Sequence, residues 1–172
     1  WPFYIWCIKR LSLNCITHRI SILKESNLVL LLGTNLGDRI SNLTIAKSKL
    51  EEFLGSIEIS SKIYQTSAWG KTDQNAFLNQ VVVINYSGYC LTALDRILSI
   101  EAELGRIRNE KWGERVIDID ILFFGDRIIS ESRLQVPHPY LHLRNFTLQP
   151  LKEIGEQWVH PKLEKTIVEL CS

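Results

Sequence analysis

The sequence predicts an α+β domain in which an antiparallel sheet carries helices. Three observations lead to this prediction: short apolar or alternating runs typical of strands, two longer segments with the apolar spacing of a helix, and the order of these segments. A chain of 172 residues is long enough for one domain with one hydrophobic core. Hydrophobic residues make up 45% of the chain and charged residues 23%, as in an ordinary globular protein.

The domain is predicted to begin with a strand and a helix. Leu28–Leu32 is a short apolar run that ends at Gly33, which indicates a buried strand. A polar turn follows and ends at Asp38, a favourable residue type for a helix N-cap. The helix then continues to Gly55, because apolar side chains recur at helical spacing at Ile40, Leu43, Ala46, Leu50 and Leu54.

The second half of the predicted domain contains the remaining strands and one further helix. The isoleucines Ile57, Ile59 and Ile63 indicate a second strand that reaches Gln65. The later elements are, in chain order, a polar loop at Thr66–Ala76, a strand at Phe77–Tyr86, a helix at Thr92–Leu104, a charged loop at Arg106–Arg115 and a strand at Val116–Phe124. The order β-α-β-β-α-β is typical of the ferredoxin-like arrangement, in which two helices pack on one face of an antiparallel sheet. This order limits the fold but does not define a reaction.

The two ends of the chain differ from this pattern. The C-terminal part is rich in proline, so we expect an appendage of short helices and turns there. Residues 1–26 show little regular period, and we expect an extension outside the domain, which then comprises residues 27–172. A reading-frame extension or a leftover linker explains residues 1–26 best. The alternatives are a short membrane-surface segment and the tail of a fused upstream domain. A transmembrane segment and a signal peptide are disfavoured, because the apolar start is too short to span a bilayer and lacks the charge order of a signal peptide.

Charge and cysteine content exclude some classes of protein. The formal net charge is +1, so no global field draws the chain to nucleic acid or to a membrane. The cysteines contain no C-x-x-C pair, which argues against a zinc site and a disulfide framework: Cys7, Cys15, Cys90 and Cys171. This usage fits the reducing cytosol, so we expect a cytoplasmic protein.

The strongest chemical signal is an alternation of isoleucine and aspartate over residues 117–121. Side chains alternate between the faces of a strand, so Asp118 and Asp120 point to the same side, with Cα atoms roughly 6–7 Å apart. Two carboxylates placed in this way suit Mg²⁺, which also takes water and substrate phosphates as ligands. A bare pair of this kind is more often the polar face of a half-exposed strand.

The loop before this strand favours the metal-binding interpretation. Arg106, Arg108, Lys111 and Arg115 fall within ten residues and surround Trp112. Alone, such a run is usually a solvated loop. Beside a carboxylate pair it suggests a polyphosphate site, because phosphoryl transfer depends on positioning and on charge neutralisation by metal and guanidinium groups.

Two further groups of residues are weaker candidates. Phe77 and Asn79 share one face of a strand, where the amide can match the edge of a heterocycle and the ring can stack on it. His138, Arg144 and Phe146 can bind an anion or an aromatic ring. Taken alone, each of these residues is more often a core or loop residue.

Taken together, these motifs resemble the 6-hydroxymethyl-7,8-dihydropterin pyrophosphokinase family. The resemblance lies in Gly33-Thr34-Asn35-Leu36-Gly37, Tyr64-Gln65-Thr66, Phe77-Leu78-Asn79, Gly105-Arg106-Ile107-Arg108, Trp112-Gly113-Glu114-Arg115, Asp118 through Gly125, Val136-Pro137-His138 and Arg144-Asn145-Phe146. It extends from about Leu28 to the region of Val159. The string R-x-R, W-G-x-R, D-x-D-I-x-x-F-G is highly specific, whereas G-x-N-x-G alone is weak.

The resemblance implies a transfer of pyrophosphate from ATP to 6-hydroxymethyl-7,8-dihydropterin in folate biosynthesis. It implies two Mg²⁺ ions on Asp118 and Asp120, with Arg106 and Arg115 acting on the transferred group. The residues implied to surround ATP are Glu101, Arg108, Trp112, Ile121, Arg133 and His138. The residues implied to contact the pterin are Thr66, Trp69, Phe77, Asn79, Arg144 and Phe146. The implied partners are these two small molecules, and we expect a monomer that binds neither nucleic acid nor a membrane.

Three other classes of protein fit parts of the pattern. A ferredoxin-like RNA-binding module would use the basic loop and the aromatic residues, but Asp118 and Asp120 would repel RNA phosphates unless metal is present. Another Mg²⁺-dependent nucleotide transferase on the same fold is distinguished by its products, since simple kinases release ADP and pyrophosphokinases release AMP. An inactive relative that serves as a binding partner is disfavoured by the metal and arginine positions.

Overall fold

The computed structural model describes residues 23–67, 75–106 and 115–172, together with the backbone of residues 6 and 7. The strands are β1 (Trp6–Cys7), β2 (Asn27–Thr34), β3 (Ile57–Ser60), β4 (Tyr64–Thr66), β5 (Phe77–Asn85), β6 (Asp118–Phe124), β7 (Ile129–Glu131), β8 (Leu134–Val136), β9 (Val159–His160) and β10 (Lys165–Thr166). The helices are α1 (Arg39–Leu54), α2 (Cys90–Glu103), α3 (Asn145–Gly155) and α4 (Ile167–Leu170), with a 3₁₀ turn at Leu141–Leu143.

One antiparallel sheet forms the centre of the domain. Its strands lie in the order β1-β4-β5-β2-β6, and β3 pairs with β5 on the same side as β4. The long strands β2 and β5 pair over eight residues, from Asn27 opposite Asn85 to Thr34 opposite Leu78. The prediction of an α+β fold with an antiparallel sheet and helices is therefore confirmed.

The sheet is buried on both faces, which explains why its central strands are apolar without interruption. Alternate residues of β2 enter two separate cores. Leu28, Leu30 and Leu32 pack against α1 and α2, whereas Val29 and Leu31 pack against α3. Strands covered on both faces give continuous apolar runs rather than a clean alternation.

Helix α1 begins and ends where the sequence indicates. The Asp38 carboxylate accepts a hydrogen bond from the Ser41 N–H at 3.0 Å, so Asp38 is the predicted N-cap. Gly55 follows the last helical residue with φ of +118°, a backbone conformation that other residues rarely adopt. These two ends fix the connection from β2 to β3 on the face opposite α3.

Several elements differ from the sequence expectations. The strand predicted from Ile57 to Gln65 is two strands, because the chain leaves the ladder at Ser61, whose hydroxyl accepts from the Val81 N–H at 3.0 Å. The C-terminal part was expected to form only short helices and turns, yet α3 has eleven residues and includes Pro150. Helix α3 provides the apolar side chains that cover the second face of the sheet: Leu148, Leu151 and Ile154.

The domain boundary at residue 27 stays a prediction. Of the first 26 residues, the structure describes the two residues of β1, which pair with the outer edge of β4, and residues 23–26. Among the described residues, no helix is long and apolar enough to cross a lipid bilayer.

Candidate active site

The two aspartates of β6 lie at one end of the sheet, on the face that α3 covers. Asp118 is opposite Gly33 and Asp120 is opposite Leu31 of β2, and both aspartates are half-buried. The intervening Ile119 and the following Ile121 point into the core beneath α1 and α2. The predicted alternation, with carboxylates on one face and isoleucines on the other, is therefore present.

Asp118 is bound by two arginines, one from each end of the charged loop. Arg106 Nη1 lies 2.8 Å from Asp118 Oδ1, and the Arg115 guanidinium pairs with Oδ2 of the same carboxylate. The side chain of Asp118 is 20% exposed, so these ion pairs are partly shielded from water. Two guanidinium groups are thus concentrated at the carboxylate pair, where a polyphosphate would meet them.

Glu101 of α2 lies beneath this cluster and fixes Arg106. It is 2% exposed, its carboxylate pairs with the Arg106 guanidinium, and its Oε1 accepts from the Ile119 N–H at 2.8 Å. Burial raises the pKa of Glu101, and the Arg106 charge opposes that shift. The backbone N–H of Arg106 also donates to the Glu101 carbonyl at 3.0 Å, so this arginine is anchored at two points.

Asp120 faces a third arginine. Arg144 Nη1 lies 4.0 Å from Asp120 Oδ2, at the beginning of α3. The Arg144 guanidinium carbon lies over the rings of Tyr140 at 5.5 Å and Phe146 at 5.6 Å, which restricts its orientation. Burial raises the pKa of Asp120, the Asp118 charge raises it further, and Arg144 opposes both effects. The positive charge of Arg144 therefore favours the charged form of Asp120.

His138 is close to the same cluster and is neutral at pH 7. Burial lowers the pKa of His138 to about 4, and the Arg144 charge lowers it as well. Its backbone N–H donates to the Leu122 carbonyl of β6 at 3.0 Å, and its ring Nδ1 accepts from the Tyr140 N–H at 3.2 Å. Because Nδ1 is an acceptor, the proton of the neutral ring is on Nε2, which can donate to an anion.

The predicted pterin residues lie on the same face, on the neighbouring strands. Asn79 of β5 is opposite Gly33 of β2, which is in turn opposite Asp118, so the Asn79 and Asp118 backbones are about 10 Å apart. Asn79 is buried, and its Nδ2 donates to Thr66 Oγ1 at 2.9 Å. Thr66 is opposite the half-buried Phe77. Three of the residues predicted to contact the pterin, Asn79, Thr66 and Phe77, are thereby brought together beside the carboxylate pair.

Gly33 separates Asn79 from Asp118 in this row. A Cβ atom at residue 33 would lie 3.3 Å from Asn79 Oδ1, which is a tight contact. The absence of a side chain there leaves the surface between the amide and the carboxylate open. A flat ring system at Asn79 can therefore extend towards Asp118.

Two predicted nucleotide residues are not part of this cluster. Arg133 lies in the turn between β7 and β8, is 57% exposed and pairs with Asp95 of α2 at 2.6 Å. Ile121 has its side chain in the core on the opposite face, so only its backbone can contact a ligand on this face. Trp69, Arg108 and Trp112 lie outside the described residues.

Three residues outside the predicted site hold its flanking segments. Asn35 binds both backbone groups of Arg115, and Asn42 of α1 donates to the Val116 carbonyl at 3.1 Å. Arg39 donates to the Ala76 carbonyl at 2.7 Å, at the beginning of β5. The position of Asn35 within Gly33–Gly37 was the available signal, but its hydrogen bonds depend on a segment 80 residues further along the chain.

The carboxylate pair has the donor type that a hard cation requires. Asp118 and Asp120 provide oxygen atoms, and among the described residues no cluster of three or more acidic, histidine or cysteine side chains forms a protein cage for a metal. Mg²⁺ is typically held by one or two carboxylates together with water and substrate phosphates. The pair therefore fits a magnesium ion that is bound together with a phosphate substrate.

The fold and this site define the class of protein: an α+β domain with a carboxylate pair among arginines, which suits a metal-bound phosphate substrate. A family model described as 7,8-dihydro-6-hydroxymethylpterin-pyrophosphokinase (HPPK) matches residues 29–156. The chain belongs to this family, whose activity is that of a pyrophosphokinase in folate biosynthesis with a pterin substrate.

Curated relatives agree with this assignment over most of their length. The chain is 45% identical to the 2-amino-4-hydroxy-6-hydroxymethyldihydropteridine pyrophosphokinase of Aquifex aeolicus over 138 residues, which cover 80% of this chain and 86% of that protein. The enzyme of the same name from Synechocystis is 40% identical over 140 residues, covering 81% of this chain and 71% of that protein.

Solved structures support the fold. The crystal structure of the wild-type HPPK-DHPS of Plasmodium falciparum with pteroate is similar with a TM-score of 0.67 at 21% identity. The match covers 84% of this chain and 41% of that one, so the chain spans about two fifths of that longer protein.

Proposed function

We propose that this chain transfers the pyrophosphoryl group of ATP to the hydroxymethyl oxygen of 6-hydroxymethyl-7,8-dihydropterin, giving AMP and the pterin pyrophosphate. One observation carries the proposal: Asp118 and Asp120 face three arginines on the same side of the sheet as Asn79 and Phe77. The first group suits a metal-bound triphosphate and the second suits a flat heterocycle.

The triphosphate is proposed to lie against Asp118, Asp120, Arg106 and Arg115. The two arginines would move their charge from Asp118 to the phosphate oxygens when ATP binds. Bidentate contacts of guanidinium with phosphate are short and directional, so they would hold the transferred group in line with the acceptor. Catalysis of this type depends on positioning and on charge stabilisation rather than on a covalent protein intermediate.

The remaining nucleotide contacts are assigned by family resemblance. His138 would donate a hydrogen bond from Nε2, and Ile121 would contribute backbone atoms. Glu101 would act through Arg106, because its buried carboxylate is paired with the Arg106 guanidinium. The other residues proposed for this part of the site are Arg108, Trp112 and Arg133.

The pterin is proposed to lie between the rings of Phe77 and Phe146. The Asn79 amide, which donates to Thr66, would form hydrogen bonds with the edge of the heterocycle. Trp69 would line the pocket. Arg144, between Asp120 and Phe146, would lie at the reacting end of the ring system. In this proposed arrangement, the hydroxymethyl group would lie on the side of the carboxylate pair.

Asp118 and Asp120 would hold two magnesium ions, which supply charge neutralisation at the phosphate oxygens of the bound nucleotide. In the transfer, the hydroxymethyl oxygen forms a bond to the β-phosphorus, and the bond from that phosphorus to the oxygen bridging to the α-phosphate breaks. AMP leaves with the bridging oxygen, and the hydroxymethyl proton is released. Arg106 and Arg115 stabilise the charge that accumulates on the leaving oxygen.

Finer features of the protein are proposed on the same basis. The strand order β4-β5-β2-β6 with antiparallel pairing supports a ferredoxin-like arrangement for residues 27–172. We propose that the domain acts as a cytoplasmic monomer, with ATP and the pterin as its partners and no nucleic acid or membrane.

A product assay tests the proposal. The chain is incubated with ATP, Mg²⁺ and 6-hydroxymethyl-7,8-dihydropterin, and the nucleotides are separated by chromatography. We expect AMP in amounts equal to the pterin pyrophosphate, and only when both metal and pterin are present. ADP as the product, or no reaction in a folded protein, would contradict the proposal.

A further inference from the structure

Arg115 is held in place by a residue outside the predicted site. The Asn35 Oδ1 accepts a hydrogen bond from the Arg115 N–H at 2.7 Å, and the Asn35 N–H donates to the Arg115 carbonyl at 3.1 Å. Both backbone groups of Arg115 are therefore bound by a single residue.

Asn35 and Arg115 lie just beyond the end of the sheet. Asn35 directly follows β2, and Arg115 lies three residues before β6. The last pair of the β2–β6 ladder is Gly33 opposite Asp118. Beyond the end of this ladder, the Asn35–Arg115 bonds join the two segments, and the Asn35 side-chain oxygen is the acceptor for the Arg115 N–H.

The two arginines that bind Asp118 are anchored in different ways. The guanidinium of Arg106 also pairs with the buried Glu101 carboxylate. The guanidinium of Arg115 has Asp118 as its described partner, so the direction of its side chain depends on where its backbone is fixed. Asn35 supplies that fixed point.

Among the described residues, the side chain of Asn35 forms a hydrogen bond only through its oxygen. Asn35 is 0% exposed, and its Nδ2 has no hydrogen-bond partner among the described residues. A buried amide N–H without a partner is destabilising, so this residue is a poor choice for stability alone. The geometry agrees better with a role in placing Arg115.

We propose that Asn35 is a positioning residue for pyrophosphoryl transfer, which acts by fixing the backbone of Arg115 so that its guanidinium stays at the carboxylate pair. The inference rests on the proposed function and on the proposed role of Arg115. It assigns no contact between Asn35 and either substrate.

The test is a double-mutant cycle in the full chain with Asn35→Ala and Arg115→Ala. Asn35→Ala is expected to lower kcat on the order of ten- to a hundredfold with little change in the KM for ATP. In the Arg115→Ala background, the same substitution is expected to change kcat less than about twofold, because the group that it positions is absent.

Asn27→Ala is the matched control. Asn27 is also 0% exposed and lies at the other end of β2, where it accepts from the Lys24 N–H at 2.8 Å. Its substitution is expected to lower the melting temperature and to leave kcat unchanged. Asn35→Asp, which keeps the oxygen that Arg115 uses, is expected to recover part of the kcat lost in Asn35→Ala. Asn35→Ser, whose shorter side chain withdraws the oxygen from the Arg115 N–H, replaces Asn35→Ala in the cycle if the alanine variant does not fold.

The outcomes separate the two proposals. Normal kcat in Arg115→Ala would contradict the proposed function of Arg115 itself. Reduced kcat in Arg115→Ala with normal kcat in a folded Asn35 variant that lacks this oxygen contact would contradict only the positioning role. Losses that multiply in the double variant would also contradict it, because they would mean that Asn35 acts independently of Arg115.

Discussion

The guanidinium of Arg106 lies 2.8 Å from the Asp118 carboxylate, on the oxygen that Arg115 does not use. Asp118 therefore carries two cations in the ligand-free protein. In the proposed function, a metal-bound triphosphate would exchange these contacts, since the carboxylate would then bind the metal and the arginines would bind the phosphates.

Removal of either carboxylate should stop the reaction without unfolding the protein. We expect Asp118→Ala and Asp120→Ala each to lower turnover by roughly 10²- to 10³-fold or more, because charge stabilisation of the phosphates is lost. Both side chains are half-buried on the open end of the sheet, so the circular dichroism spectrum should be retained. Asp126→Ala, at the exposed turn after β6, is the control and should have normal turnover. Near-normal turnover in either site variant would contradict the metal assignment.

Arg115 should contribute more to the transition state than to nucleotide binding. Arg115→Ala is expected to lower kcat by about 10²-fold or more, with a change in ATP affinity of only a few fold. The comparison requires single-turnover kinetics and calorimetric titration of a non-hydrolysable ATP analogue with Mg²⁺. Arg96→Ala, an exposed position of α2 beside Phe53, is the matched control. An equal loss in affinity and in kcat/KM would assign Arg115 to ground-state binding instead.

Asn79 should determine pterin affinity. We expect Asn79→Ala to weaken pterin binding by about ten- to a hundredfold, because a heterocycle edge loses its hydrogen-bond partner in a buried site. Pterin fluorescence provides the measurement. Gln80→Ala is the control, since Gln80 is the adjacent buried amide and donates to the Ser61 carbonyl at 2.7 Å. If both variants weaken pterin binding equally, Asn79 has only a structural role.

Stability should fall as the pH is lowered below about 6.5. Burial lowers the pKa of His160, and the His142 charge lowers it further. The unfolded chain therefore binds a proton at a higher pH than the folded chain, so the free energy of unfolding decreases as the pH falls below the unfolded pKa. His160 also accepts from the Leu163 N–H at 3.2 Å and packs edge-on against Phe123.

His160→Gln should reduce this pH dependence while lowering stability at neutral pH. Urea denaturation at pH 7.5 and pH 5.5 provides the comparison. We expect a smaller difference between the two values in the variant than in the unmodified chain. An unchanged difference would assign the acid sensitivity to other groups, of which His138 is the first candidate because burial lowers its pKa to about 4.

Much of the fold could be predicted because its signals are local. The cap at Asp38, the stop at Gly55 and the alternation of Asp118 and Asp120 depend on residues within a few positions of one another. The division between β3 and β4 was missed because it depends on a bond from Ser61 to Val81. The length of α3 was missed because prolines such as Pro150 predicted only short helices, whereas packing of Leu151 and Ile154 on the sheet stabilises the longer one.

The residues of the candidate site were also predicted only in part from the sequence. Motif resemblance supplied Asp118, Arg106, Arg115 and Asn79, and the structure brings them to one face of the sheet. Resemblance supplied Ile121 as a nucleotide residue, whereas the strand alternation predicted its side chain on the opposite face, where the structure has it in the core. A residue name in a motif does not state whether the side chain or the backbone is used.

By itself, the sequence determined the class of fold, the family and the carboxylate pair, because periodicity, caps and short motifs are properties of neighbouring residues. Only the tertiary structure decided that both faces of the sheet are covered and that Glu101 lies beneath Arg106. It also decided that Asn35 holds Arg115 across 80 residues of chain. These relationships depend on hydrogen bonds and packing between distant segments, which form only when β2 and β6 pair.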